Sequence, residues 1–484
     1  MGKSHSESGR LIVVSNRGPY RFKAHARGVR AESTVGGLVS ALDPLLRSTG
    51  GTWVAWDDTF HEKDLLGPRV RVPLDHPSYV FSRVRLTKKE IELYYHGFSN
   101  RALWPLCHYF LGRCDFEPRE YECYREVNAR FAQAARAETH AGDTLFIQDY
   151  HLALVPSLLR RMGTAGRIAL FWHIPFPAWD TFRVLPWRSE IVEGMLGADL
   201  IGFHVRSYVH HFVTSAEMLF GAKWNEATET LEVGEHRVRV KACPLGIEFD
   251  EFDRLARHPD TVAKAQQIRE AIGTPIVALG VDRMDYSKGI RERLNGIERF
   301  MERYPQYRRR FSFIQIAVPS RTEVPEYRKI GRAVDETVGR VNGRFAEAGW
   351  APITYLCRSL PRRQLAAYYL AADIALITPL RDGLNLIAKE YAACKTQEDG
   401  SIILSEFAGA AEEMEDVFLV NPYNMDDVAE KIHRAAEIPT EERRMRMRRL
   451  RHLAATRDLT WWREEFLGEF LREGRSKRGN EDER

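Results

Sequence analysis

Four side chains in the second half of the sequence have types and spacing suited to a phosphorylated ligand: Arg283 and Lys288, five residues apart, and Asp382 and Glu390, eight apart. Loop cations can neutralise a diphosphate, Arg through its planar fork and Lys as a point charge. The run Arg381-Asp382-Gly383-Leu384-Asn385-Leu386-Ile387-Ala388-Lys389-Glu390 follows an apolar segment, and its pattern predicts a helix from about Leu384. A helix N-terminus offers phosphate its free N–H groups and the positive end of a dipole. Glu390, expected about two turns in, could accept hydrogen bonds from a ribose. A plainer reading makes Asp382 a cap and Glu390 a surface charge, and the residues alone leave both open. Arg321, after another apolar run, adds a third cation.

In the first half, Arg17, Gly36-Gly37, Asp149 and His173 each fall in or beside a loop after an apolar run. Paired glycines let backbone approach a ligand closely. Asp149 could accept from sugar hydroxyls, and His173 could donate to a sugar or polarise an oxygen. Pro175 and Pro177 stiffen the turn behind His173. Tyr94, Tyr95 and Trp104 flank Phe98-Ser99-Asn100, and in isolation such residues are more often core aromatics than ligand contacts.

Positioning these residues is the work of short buried strands. Leu11–Ser15, 144–147, 168–172 and 199–203 are continuous apolar runs that end in polar loops, with helix-like stretches between them. Such runs suit strands of a parallel sheet buried on both faces. A second series, 276–280, 313–317, 374–377 and 401–405, starts after Cys243-Pro244-Leu245-Gly246. The fold class expected is therefore α/β, with two Rossmann-like, doubly wound domains facing a cleft. Ligands of such sheets bind at the carboxyl ends of the strands, where every polar signature here falls. The expected boundaries are 1–243, 244–456 and a terminal helix with a disordered tail over 457–484, the helix crossing back to the first domain. Thr440 is expected to cap the helix that carries Arg448, Arg449 and Arg451.

Composition removes other classes. The 484 residues carry 71 Lys and Arg against 67 Asp and Glu, and this near balance gives no electrostatic case for nucleic acid. Six cysteines without a C-x-x-C pair favour a reducing, cytoplasmic setting over a disulfide framework. The first ten residues lack an apolar signal core, and no run approaches the ~18 apolar residues of a membrane span. Met1 to Ser6 fits the loose myristoylation pattern, but reads more simply as a polar start. The spacing around Cys107, His108, Cys114 and Cys123 does not suit zinc, and H-E-x-x-H, Walker A, G-x-S-x-G and G-x-G-x-x-G are absent. Neither a metal nor another cofactor is expected.

Together the motifs resemble the trehalose-6-phosphate synthases, retaining glycosyltransferases of the GT-B fold. The resemblance runs from about Leu11 to about Ala436. It is carried by SNRGPY (15–20), GGLVSAL (36–42), YYHGFSNRALWPLCHY (94–109), QDYHL (148–152), HIPFP (173–177), DRMDYSKG (282–289), AVPSR (317–321), TPLRDGLNLIAKEY (378–391) and LSEFAGAAEE (404–413). It implies that Arg283 and Lys288 grip the diphosphate of a nucleotide-sugar and that Glu390 meets the ribose. Leu386 to Glu390 would lie under the phosphates, Asp382, Gly383, Leu384 and Asn385 at the transferred glucose, and Leu360 and Arg362 near the base. Gly36 and Gly37 would approach the donor from the first domain. Arg17, Tyr95, Trp104 and Arg321 would bind the phosphate end of glucose 6-phosphate, with Asp149 and His173 at the reaction centre. Trp56 matches a tryptophan near the acceptor, although Asp57-Asp58 stands where the family has Pro-Gly or Ser-Gly.

The resemblance implies transfer of glucose from a nucleotide-glucose, UDP-glucose first, to glucose 6-phosphate with retention. Glucosylglycerol-phosphate synthase, with glycerol 3-phosphate as acceptor, is the nearest rival, and Leu185-Pro-Trp-Arg188 also suits it. An inactive sugar-phosphate sensor would be expected to lack Arg283, Lys288 or Glu390, all of which are present. Partners are thus small molecules, with homo-oligomerisation open.

Overall fold

The computed structural model describes residues 9–25, 28–34, 37–59, 66–320, 325–468 and 470–471; Gly36 and Arg321 lie outside the described residues. The chain divides into two compact units, unit 1 comprising Met1–Pro244 with Trp462–Arg484 and unit 2 comprising Leu245–Trp461. The first division thus falls one residue after the boundary expected from sequence. Unit 2 also runs five residues beyond 456.

The strands of unit 1 are β1 (Leu11–Arg17), β2 (Tyr20–His25), β3 (Gly28–Ser33), β4 (Thr52–Trp56), β5 (Arg69–Val72), β6 (Tyr79–Val84), β7 (Thr144–Gln148), β8 (Arg167–Phe171), β9 (Leu200–Phe203), β10 (Lys223–Asn225), β11 (Thr230–Val233) and β12 (His236–Ala242). Ten form one sheet in the order β10-β11-β12-β9-β8-β7-β1-β4-β6-β5, and β2 pairs with β3 separately. The run from β6 to β12 is parallel throughout. Counted along the chain, those parallel strands stand in the order 3-2-1-4-5-6-7, so the winding reverses between β1 and β7. Ile12, Val13 and Val14 of β1 are wholly buried, as a strand covered on both faces requires.

Unit 1 is completed by the end of the chain. Trp462 is wholly buried, with its ring 5.1 Å from Phe171 and 6.1 Å from Phe146. Phe466 lies 4.9 Å from Phe171, and a Cβ on Gly202 would come within 2.5 Å of the Phe466 ring. Gly202 is thus small because an aromatic ring fills the space its side chain would take.

Unit 2 contains β13 (Ile276–Arg283), β14 (Phe311–Val318), β15 (Ile353–Leu356), β16 (Ile374–Ile377), β17 (Ser401–Ser405) and β18 (Phe418–Val420). They form one parallel sheet, β15-β14-β13-β16-β17-β18, which is the Rossmann order 3-2-1-4-5-6. Its reversal point lies between β13 and β16. Ala278 and Phe313 of the sheet and Leu294, Ile297 and Phe300 of helix Ile290–Arg303 share one buried core.

Two helix starts differ from expectation. The helix near Leu384 begins at Ile387, because Asn385 adopts a left-handed φ of 79° and the Leu384 carbonyl accepts from Ala410 N–H instead (2.8 Å). Glu390 therefore lies in the first turn. The later helix spans Thr440–Thr456 with Pro439 at the cap, so Thr440 is its first helical residue and not its cap. Its basic face is paired within unit 2: Arg448 with Glu398, Arg449 with Asp416 and Arg451 with Asp253.

Candidate active site

In unit 2 the polar residues gather where the winding reverses. Arg283 is the last residue of β13 and is exposed, and Lys288 follows in the turn that leads to helix Ile290–Arg303. Gly289 makes the turn possible: its φ is 61°, and a Cβ there would lie 2.4 Å from the Thr378 carbonyl. Lys288 Nζ pairs with Asp382 Oδ2 at 2.5 Å, both side chains being nearly enclosed, and Asn385 Nδ2 donates to the same oxygen (3.1 Å).

Two braces hold these loops. Arg293 is buried; its Nε donates to Thr378 Oγ1 (2.9 Å), its Nη2 to the Lys288 carbonyl (3.4 Å), and its Nη1 bonds Asp282 and Gln315. It thereby joins the loop after β13 to the end of β16. Burial pushes the Asp282 carboxyl upward although Arg293 opposes this. On the far side, Asp382 N–H donates to Phe407 O (3.1 Å) and Gly409 N–H to Asp382 O (3.1 Å). Here a Cβ on Gly409 would lie 2.1 Å from the Gly383 carbonyl, so the two loops touch backbone to backbone. The sequence reading missed Arg293. Its signal was faint but present, an Arg on the same helical stripe as Ile290, Leu294 and Ile297.

Glu390 accepts from Tyr369 OH (2.8 Å), and burial lifts its carboxyl above the usual range. Arg362, which lowers it through charge, is itself tied to Glu248 (2.7 Å) and Glu251. The Ile387–Cys394 helix presents its first N–H groups without intrahelical acceptors. Ala388 is buried, and Leu386 and Ile387 are partly so. The Lys389 side chain turns inward and is wholly buried, with Nζ on the Leu245 carbonyl (2.9 Å) and beside Glu413 (2.5 Å), so only its backbone N–H is offered at the helix start. Leu360 is partly buried beyond β15.

Unit 1 places its candidates around its own reversal point. Arg17 ends β1, and its guanidinium carbon lies 4.8 Å from the Trp56 ring and 5.0 Å from the Tyr95 ring, a cation set over two adjoining rings whose centroids are 6.0 Å apart. Tyr95 stacks in turn on His151 (5.7 Å), whose Nδ1 lies 3.7 Å from Asp149 Oδ2. Tyr95 rides on a helical segment, Ile91–Leu103, kinked at Gly97. A Cβ at Gly97 would sit 2.7 Å from the Glu120 carboxyl carbon, so that glycine lets the segment bend around Glu120. Trp104 is buried, stacked on His108 (4.2 Å). Gly37 is the first residue of helix Gly37–Thr49.

Asp149 follows β7 directly with φ 74° and ψ 166°, a conformation almost confined to glycine and costing about 1–3 kcal/mol. Its Oδ1 accepts from the backbone N–H of Tyr150 (3.0 Å) and His173 (3.1 Å), which fixes the loops after β7 and β8 together. His173 Nε2 lies 2.9 Å from Gln148 Oε1. With that carboxamide oxygen as acceptor, the proton sits on Nε2 and Nδ1 is an acceptor. Burial holds this imidazole neutral by lowering its pKa to about 3. Gln148 and His151, both within the QDYHL run, were missed as functional partners because their part depends on what tertiary structure puts beside them.

Among the described residues no group of three or more His, Cys, Asp or Glu side chains could hold a metal ion, and no helix is long and apolar enough to cross a membrane. All six cysteines are free thiols.

Comparison with known proteins agrees with this geometry. The model of glycosyltransferase family 20 matches residues 9–472. The trehalose-6-phosphate synthase of Mycolicibacterium smegmatis is 40% identical over 467 residues, covering 94% of this chain and 91% of the relative. An alpha,alpha-trehalose-phosphate synthase (UDP-forming) from Burkholderia xenovorans, solved in complex with glucose-6-phosphate, superposes with a TM-score of 0.86 at 33% identity, covering 96% of this chain and all of that one. A structure from E. coli bound with UDP-2-fluoro glucose superposes with a TM-score of 0.87 at 32% identity, over 96% and 99% of the two chains. Both units thus carry the doubly wound sheets of the GT-B fold, and a match spanning nearly every described element makes this chain a glycosyltransferase that belongs to family 20.

Proposed function

We propose that the chain transfers glucose from UDP-glucose to glucose 6-phosphate with retention, forming α,α-trehalose 6-phosphate, in a cytoplasmic setting. The observation that carries this reading is the loop pair at the reversal point of unit 2. Arg283 and Lys288 stand at one strand end, and Asp382 at the next is bonded to Lys288 (2.5 Å), with Glu390 set for a ribose by Tyr369. Relatives solved with a UDP-glucose analogue and with glucose 6-phosphate support the choice of substrates.

Arg283 and Lys288 would meet the charge that develops on the departing diphosphate, a part that elsewhere falls to a metal ion, so the reading needs no cofactor. Double displacement would require a carboxylate nucleophile at the anomeric carbon. Asp382 is a poor one, its Oδ2 being engaged by both Lys288 and Asn385. Front-face attack, with the departing phosphate taking the acceptor proton, fits better. The enzyme's contribution is then orientation and leaving-group stabilisation. In unit 1, Arg17, set over Trp56 and Tyr95, would hold the acceptor phosphate, with Trp104 lining that side. Asp149 and the Nδ1 of His173 would accept hydroxyl hydrogens near the reacting carbon.

The test is a matrix of UDP-, GDP- and ADP-glucose against glucose 6-phosphate and glycerol 3-phosphate, with products identified by NMR. Trehalose 6-phosphate from UDP-glucose is expected. Exclusive use of glycerol 3-phosphate would overturn the acceptor, and exclusive use of GDP- or ADP-glucose the donor.

A further inference from the structure

The two carboxylates that follow Trp56 have different surroundings. Asp57 is committed to the interior: its Oδ2 pairs with Arg83 Nε at 2.6 Å with both side chains fully buried, and its Oδ1 accepts from Thr59 N–H (2.8 Å) and Thr59 Oγ1 (2.6 Å). Asp58 turns the other way. Its Oδ2 bonds the Arg21 guanidinium and lies 3.9 Å from Arg17 Nη1. Arg17 and Arg21 are about half exposed, while Asp58 is 29% exposed.

Arg17 comes from the end of β1 and Arg21 from β2, the next strand in sequence, so the chain brings two fixed cations to one carboxylate. Arg17 cannot swing freely, because its guanidinium lies against the faces of Trp56 and Tyr95. Such a pair of guanidinium groups suits a phosphate, whose oxygens can be gripped by more than one fork. Asp58 already supplies the anion. Its single charge is shared between the two guanidinium groups, with Glu32 opposite Arg21 on β3 as the next carboxylate, whereas a phosphomonoester dianion brings two charges to the pair.

Resting on the acceptor assignment above, we propose that Asp58 is a specificity-determining residue of the acceptor site, an internal carboxylate that competes with the acceptor phosphate for Arg17 and Arg21. Binding exchanges one anion for another on the same guanidinium pair. A dianionic phosphomonoester displaces the carboxylate, and an uncharged sugar cannot. Arg21 thereby becomes a second phosphate contact. The exchange raises selectivity at the expense of affinity.

The experiment measures KM for glucose 6-phosphate and the competitive inhibition constant of inorganic phosphate in wild type, Asp58→Asn, Asp58→Glu, Arg21→Gln and Arg17→Gln. Direct phosphate binding is followed calorimetrically, without turnover. Asp58→Asn is expected to lower both constants by about two- to fivefold, the scale of one exposed ion pair. Asp58→Glu should keep them near wild type, and Arg21→Gln should raise both. Unchanged constants in Asp58→Asn, or constants that rise because Arg17 has lost its support, overturn the proposal. A wild type inactive on glucose 6-phosphate, or a KM indifferent to Arg17→Gln, refutes the acceptor assignment itself. An active, Arg17-dependent enzyme with an indifferent Asp58→Asn refutes the competition alone.

Discussion

The two units wind their parallel strands in the same order but hold their cations by different physics. In unit 2, Lys288 is 11% exposed and its partner Asp382 14%, and the loops that carry them are cross-braced by buried Arg293 and by backbone contact at Gly409. In unit 1, Arg17 is 48% exposed and lies over two adjoining aromatic rings, with the Asp58 carboxylate 3.9 Å away. A loop pair can thus be built for one fixed job or left adjustable. Bonds made in advance suit charge that appears during reaction, since nothing has to reorganise at that moment. Stacking suits recognition, being tolerant in geometry and modest in strength.

The sharpest attack on this contrast is Lys288→Ala. Loss of a preorganised charge partner should lower kcat by about 10²–10³-fold, read as UDP release at saturating substrates. Near-normal turnover would remove Lys288 from the leaving-group role. Glu390→Gln is expected to raise donor KM by about ten- to a hundredfold with acceptor KM unaltered, the scale of a hydrogen bond to a charged group. The pH dependence follows in sign. Burial places the Glu390 pKa above that of an ordinary glutamate, so on acidification it takes a proton sooner and loses acceptor strength toward ribose hydroxyls. Donor KM should therefore climb as pH falls, starting above the usual glutamate range. A wild-type profile identical to that of Glu390→Gln would contradict this.

Effects on the unit 1 side should be smaller. His173, with its pKa lowered to about 3, stays neutral from pH 5 to 9 and should give no limb near pH 6–7 in kcat/KM. Selective nitrogen labelling should find the Nε2–H tautomer, and Gln148→Leu should release it and reduce kcat about two- to tenfold. An imidazole titrating near 6.5 would refute the assignment. The linkage runs in the matching direction: between pH 6.5 and 3 only the unfolded chain binds this proton, so acid costs stability. Smallest of all, Arg17→Lys keeps charge but loses the planar stack, and should raise acceptor KM about two- to fivefold. A hundredfold rise would show that unit 1 depends on a rigid fork after all and would erase the contrast.

Much of this could be read in advance because strand ends are local. Leu11–Ser15, 144–147, 276–280 and 374–377 are apolar runs whose next polar residues had to fall at the sheet's carboxyl edge. What could not be read was pairing across the fold. Nothing near Tyr369 in sequence points to Glu390, and nothing near Gln148 points to the ring of His173. The Ile387 helix starts three residues later than the sequence pattern predicts, because a left-handed Asn385 costs little locally and is fixed by the Ala410–Leu384 bond to a distant loop. Nothing around Lys389 in sequence shows that its side chain turns inward to the Leu245 carbonyl.

Trp462, Phe466 and Phe470, buried in unit 1 against residues made some three hundred positions earlier, carry a consequence for biosynthesis. Unit 2 is one continuous stretch, Leu245–Trp461, and all of it has been translated before Trp462 is added. Unit 1 starts to emerge before unit 2, yet the aromatic seam at Phe146 and Phe171 lacks its cover until Trp462 and Phe466 have been added. The usual order, first made and first finished, is inverted. Premature termination or a nick shortly after Asp458 would spare the later-made unit and strand the earlier one as a substrate for chaperones.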